Sequence, residues 1–161
     1  MPSPDPVAMA LASRRLWRIV SPVNTTLLLC DHAQEVAGKL YVLGGGWSIY
    51  RGAPVTMGLA VKIAVPWEAA NIPHDFAARL VTEDGLDPVL PTPEGGTGAT
   101  RVEFQGRFEA GRPAGLAPGS DLDAPFAVNI AGLPLSPGRY EWQVEIDQEV
   151  VGRVPFTVME S

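Results

Sequence analysis

The sequence predicts an all-β chain built as two packed antiparallel sheets. Three observations carry that expectation. Apolar and polar side chains alternate with period two through several segments from Asn24 onward. Turn-forming dipeptides separate those segments, and no stretch after residue 23 keeps a helical period over helical length. Strands that each bury one face become stable when two sheets close on one another.

Residues 1–22 differ in character and are set apart as an N-terminal extension, with the β domain taken as 23–161. Asp5 before Pro6 fits an N-cap and first helical position, and Met9, Leu16 and Ile19 give one apolar stripe that Pro22 stops. The expectation is a short helix or a disordered extension.

The first strand is expected to run over Asn24–His32, closed onto Lys39–Leu43 by Ala37-Gly38. Gly44-Gly45-Gly46 follows directly. A phosphate cradle needs such glycines between a strand and a helix N-terminus, and the segment after Gly46 is β-branched and aromatic. The glycines are therefore read as a bulge or bend that makes room for Trp47. Val55, Met57, Leu59, Val61, Ile63 and Val65 then share one strand face. His74–Glu83 forms the next strand, and Asp84-Gly85 is a strong hairpin signal, because both residues tolerate positive φ.

Two segments, residues 91–100 and 111–125, are rich in Gly and Pro and are expected to be irregular loops. Between them, Val102, Phe104, Gly106, Phe108 and Ala110 alternate with Arg101, Glu103, Gln105, Arg107 and Glu109. Residues 124–131 make a weaker strand. Tyr140, Trp142, Val144 and Ile146 oppose Arg139, Glu141, Gln143, Glu145 and Asp147, and Asp147-Gln148 turns the chain into the last strand, residues 149–159.

Tyr140 enters its strand just after Pro137-Gly138. This resembles the tyrosine corner of immunoglobulin-like sandwiches, in which the phenol bonds back to the backbone a few residues upstream, here near Ser136. The stretch from Leu27 to Ser48, with Arg79–Gly85 and Pro137–Val158, is similar to a family of small uncharacterised bacterial proteins. The matching residues are Asp31, Ala33, Gln34, Gly38, Lys39, Leu40, Gly45, Gly46 and Trp47, and the pattern departs at Gln148, where a glycine is expected. The resemblance implies a compact β domain and no activity.

The net charge of −6 repels a phosphate backbone, and Arg14, Arg15 and Arg18 are a small counterweight, so no nucleic-acid role is expected. No apolar run reaches the length of an integral membrane segment. One cysteine, Cys30, permits no internal disulfide, and the chain is read as cytoplasmic. Cys30 and His32 share a face if the strand is continuous, but two such residues make a poor metal site, and they are read instead as a buried thiol and a hydrogen-bonded histidine near a turn.

No catalytic motif occurs, so the chain is not read as an enzyme, and no cofactor or metal is expected. Carboxylates gather in turns, among them Asp84, Asp121 and Asp123, and Tyr41 and Trp67 are aromatic residues at strand ends or exposed positions. These five are the candidate contact residues. The leading expectation is a non-catalytic protein-interaction or structural module that meets a protein partner or itself. The alternative is a ligand- or calcium-binding sandwich using the acidic loops.

Overall fold

A computed structural model describes residues 23–161, so the expected N-terminal helix or disordered extension lies outside the described residues. The described chain forms twelve strands and one 3-10 turn. They are β1 (Asn24–Cys30), β2 (His32–Val36), β3 (Lys39–Leu43), β4 (Ile49–Arg51), β5 (Val55–Val65), β6 (His74–Thr82), β7 (Val89–Pro91), β8 (Thr97–Ala99), β9 (Val102–Phe108), β10 (Leu122–Leu133), β11 (Gly138–Ile146) and β12 (Glu149–Met159). The 3-10 turn, Trp67–Ala69, lies between β5 and β6. The chain is all-β.

The strands form a three-stranded sheet in order β1-β5-β10 and a five-stranded sheet in order β4-β12-β11-β6-β9. Two small sheets, β2-β3 and β7-β8, complete the set. Pairing is antiparallel except between β4 and β12, which run parallel. The expectation of a wholly antiparallel arrangement is corrected there. Thr157 N bonds Ser48 O just before β4, and Gly52 N bonds Met159 O just after it, so this short strand closes the edge beside the last strand.

The core follows the period-two reading closely. All six odd-numbered side chains of β5 from Val55 to Val65 are buried, and they share one cluster with Phe76, Ala78 and Leu80 of β6 and Tyr140, Trp142, Val144 and Ile146 of β11. Burying each large aliphatic side chain contributes roughly 1.5–3 kcal/mol. Trp142 donates its indole N–H to Met57 Sδ at 3.2 Å, so the one polar atom of that buried ring is satisfied. Phe76 stacks on Phe126 of β10 with centroids 4.7 Å apart, a second aromatic tie between the large sheets.

Four local expectations change. The strand expected over Asn24–His32 breaks at Asp31: β1 pairs with β5, whereas β2 pairs with β3 through the Ala37-Gly38 turn. Both turn residues have positive φ, 50° and 76°, which suits a two-residue hairpin. Asp84-Gly85 turns the chain but joins no hairpin, because β6 pairs with β9 and β11. Residues 91–100 are not irregular; Thr92 N bonds Gly96 O at 2.9 Å and closes β7 onto β8. The strand expected at 124–131 starts earlier and ends later, and Leu122 and Leu133 at its two ends are both buried.

The tyrosine corner forms as expected: Tyr140 Oη donates to Ser136 O at 2.8 Å. Burial pushes the phenol pKa up, which keeps it a donor. Tyr140→Phe is expected to lower unfolding free energy by about 1 kcal/mol in urea denaturation, the net worth of one partly buried hydrogen bond. An unchanged midpoint would remove the corner from the account.

Candidate functional site

The most distinctive local construction is the β2-β3 hairpin, which lies flat on the outer face of the three-stranded sheet. Here β5 presents Gly58 and Ala60 instead of large side chains, and Ala60, Cys30 and Ala33 form a second small core with Leu40 and Ala127 packed against it. A Cβ on Gly58 would stand 2.8 Å from Cys30 Sγ, 2.8 Å from Asn129 Oδ1 and 3.0 Å from Ala33 N. No larger residue fits without displacing the hairpin backbone. Asn129 of β10 then acts as a substitute strand: Ala33 N donates to its Oδ1 at 2.9 Å, and its Nδ2 donates to Ala33 O at 2.8 Å.

The glycine run completes this docking. Asp31 N donates to Leu43 O and Gly44 O, and Gly46 N donates to Leu29 O at 2.8 Å. A Cβ on Gly44 would collide with the Asp31 carboxylate, and one on Gly45 would lie 2.8 Å from Leu28 and 2.9 Å from Val42. Gly44 and Gly46 also have positive φ. The steric reading of these glycines therefore holds, but the side chains they accommodate belong to Asp31, Leu28 and Val42. Trp47 sits elsewhere, tilted on Tyr50 and edge-on to Phe156.

Docking fixes which hairpin face is exposed. Partners across an antiparallel pair share a face, so Val36, Tyr41 and Leu43 lie outward with Lys39, Gln34 and His32. Tyr41 is 58% exposed, Leu43 70% and Val36 45%. Three large apolar residues thus stand in water on a two-stranded platform whose other face is fixed to the sheet at Ala33 and Leu40, with Val42 on that face still partly exposed.

The break at Asp31 also separates Cys30 from His32. Cys30 is fully buried under the hairpin, and His32 is exposed on its far side. Burial first, and Asp31 second, push the Cys30 thiol pKa up, so it is a poor nucleophile and a poor metal ligand. Among the described residues, no group of three or more His, Cys, Asp or Glu side chains could hold a metal ion.

The remaining candidate residues do not converge. Trp67 is covered by Arg112, whose guanidinium lies 4.4 Å from the ring centroid and whose Nη2 donates to Trp67 O at 2.7 Å. Asp121 and Asp123 open β10, where Leu122 pairs with Val65 at the end of β5. From that end the chain crosses to the start of β6, whereas Asp84 follows the far end of β6. Asp123 is paired with Lys62 at 3.0 Å. Near Asp84, Asp87 accepts from Arg79 at 2.7 Å, and Glu83 lies 3.6 Å from Arg139.

One constellation escaped sequence reasoning. His74 is fully buried, with Nδ1 2.8 Å from Asp147 Oδ2 and Nε2 donating to Ala69 O at 2.9 Å. Asp147 Oδ1 also accepts from Asp75 N, and Asp147 N donates to Asp75 O. Both ring nitrogens are engaged, so the pair fastens the β11-β12 turn to the start of β6. Asp147 and Gln148 both have positive φ, 50° and 69°, the two-residue hairpin geometry usually served by Asn-Gly. The carboxylate contacts offset the cost of that backbone. The only sequence signal was an aspartate in a turn lacking glycine.

The chain belongs to a family of unknown function, DUF6941, which matches residues 25–159. No curated protein matches it. Among solved structures it is similar to an alkylpurine DNA glycosylase, AlkC, from Pseudomonas fluorescens bound to DNA containing an abasic site analogue. That likeness has 11% identity and a TM-score of 0.48 over 86% of this chain and 30% of the glycosylase chain, so this chain spans under a third of that enzyme's length. It is also similar to an immunoglobulin-like protein from Pseudomonas aeruginosa, at 15% identity and a TM-score of 0.37 over 88% of this chain and 95% of that one.

Asn129→Ala is expected to loosen the hairpin and speed reaction of Cys30 with a thiol reagent at least tenfold, against slow reaction in the parent protein. Equal slow rates would mean that Asn129 does not hold the hairpin down. Asp147→Ala is expected to cost about 3 kcal/mol by denaturation, because it leaves His74 buried without its carboxylate partner and removes the turn's support. A loss below about 0.5 kcal/mol would contradict that role.

Proposed function

We propose that this member of the family is a non-catalytic protein-interaction module, an immunoglobulin-like two-sheet sandwich working in a bacterial cytoplasm. The observation that carries the reading is the outward face of the β2-β3 hairpin, where Val36, Tyr41 and Leu43 are exposed together. A rigid, exposed apolar group with a tyrosine is the kind of surface a protein partner desolvates. The Tyr140 corner supports the immunoglobulin-like assignment. The sole cysteine, free and buried, suits a reducing compartment. No helix among the described residues is long and apolar enough to cross a membrane.

The geometry favours this reading over a cation site. The acidic turns stand apart, and several of their carboxylates already have Arg or Lys partners. The engaged His74 and the buried Cys30 likewise favour a binding role over catalysis. The net negative charge favours a protein partner over a nucleic acid.

Tyr41→Glu combined with Leu43→Glu tests the reading. Tagged parent protein is expected to retain a specific set of proteins from native lysate that the double variant loses, with both melting within a few degrees of each other because the two side chains are solvent-facing. Identical retention by both proteins would overturn the assignment of this face.

A further inference from the structure

We infer that the free edge of β9 is a self-recognition strand that joins two copies of this chain across a two-fold axis at Gln105. β9 ends the five-stranded sheet and pairs with β6 along one side only. Gln105, Gly106 and Arg107 are exposed there, and a Cβ on Gly106 would meet nothing within 4 Å. An open strand edge of this kind is a template for another strand, and a second copy offers the same edge in antiparallel sense.

The occupant is identified by the order of charges along β9 and the residues that flank it, Arg101, Glu103, Gln105, Arg107 and Glu109, with the half-buried Glu103 lying 3.5 Å from Arg101 and accepting from Gln105 at 2.7 Å within its own copy. Reversed about Gln105, this series becomes its own complement. Glu103 falls opposite Arg107 of the second copy, Arg101 opposite Glu109, and each pair occurs twice by symmetry. Neighbouring registers fail. Centring on Phe104 sets Arg101 against Arg107, and centring on Gly106 sets Glu103 against Glu109. A shift by a single residue turns the wet face toward the buried one.

The pattern extends into the sheet. Within one copy, Glu103 is the cross-strand partner of Arg79, and Arg107 of Asp75, with the Arg107–Asp75 ion pair at 3.0 Å. Across the joined edge the row reads Arg79, Glu103, Arg107, Asp75, alternating in sign throughout, and its symmetry mate reads the same. On the opposite face, Phe104 of the second copy falls against the open space over Gly106, where an aromatic side chain can cover a bare glycine. The charges that would repel an arbitrary strand admit this one.

This surface is separate from the hairpin face, and the inference extends the interaction reading by naming a second copy as partner. The test is sedimentation equilibrium on the full chain across micromolar to roughly millimolar concentration. The parent is expected to show a concentration-dependent dimer. Glu103→Arg or Arg107→Glu alone is expected to weaken it at least about tenfold, since two attractive pairs become repulsive. The double variant restores opposite signs and is expected to return near the parent value. Should either single change unfold the chain, by loss of the contacts of Glu103 with Arg101 and Gln105 or of Arg107 with Asp75, exposed Glu109→Arg, and its rescue by Arg101→Glu, ask the same question farther out.

A strict monomer throughout, or reversals without effect, or a double variant as weak as the singles would overturn the inference. The two readings fail separately: Tyr41→Glu with Leu43→Glu leaves the β9 dimer intact, and the charge reversals leave retention by the hairpin face intact.

Discussion

The central strand β5 is buried along its whole odd face and, at Gly58 and Ala60, on its even face as well, and most of the structure follows from how differently the two faces are covered. Its odd positions carry Val, Met, Leu and Ile into the main core, where they meet Trp142 and the aromatic residues between the large sheets. On the other face, positions 58 and 60 are Gly and Ala because another backbone lies on them, while Thr56 and Lys62 on either side are exposed. One face is packed by volume and the other by its absence. A side chain at 58 would lift the hairpin, expose Cys30 and unseat Ala33 from Asn129. The glycine run after β3 serves the same docking from the hairpin's side, by letting the chain pass close over Asp31 and Leu28.

The period of the sequence made the main core legible. Alternation in residues 55–65 and 139–147 names the buried residues almost one for one, because strand side chains have no choice but to alternate, whereas on edge strand β9 Phe104 and Phe108 are half-buried and Gly106 is exposed. What local pattern could not show was where a strand stops belonging to one sheet. Asn24–His32 reads as one apolar stretch, yet its last residues leave β5 at Asp31 and fold back over it, a decision made by Gly58 and Asn129 far away in sequence. The Asp84-Gly85 turn misled for a similar reason: its geometry is local, but the partner of β6 is set by the sheet. Gly58 was the readable clue. A glycine within an apolar strand marks the close approach of something else.

The candidate site fared unevenly for the same physical reason. Exposure of Tyr41 follows from its alternation with Leu40 and Val42, which hairpin pairing preserves. The acidic residues read alike in sequence, yet the fold sends Asp84 and Asp121 to different ends and places Lys62 beside Asp123. His74 and Asp147 are more than seventy residues apart, and nothing local ties an aspartate in a turn to a histidine opening another strand. Surface ion pairs such as Arg107–Asp75 add little stability singly. Their order along β9 carries information of another kind, since it distinguishes one partner strand from others.

The docking of the hairpin on β5 is the claim on which the exposed apolar face, the buried thiol and the role of the glycines all depend. Its most direct measurement is hydrogen exchange at the Ala33 amide, whose proton is given to the side chain of Asn129 on β10 and not to β3. The account predicts protection at Ala33 approaching that of the β5 amides. Exchange at Ala33 as fast as at an open loop, with β5 still protected, would contradict it.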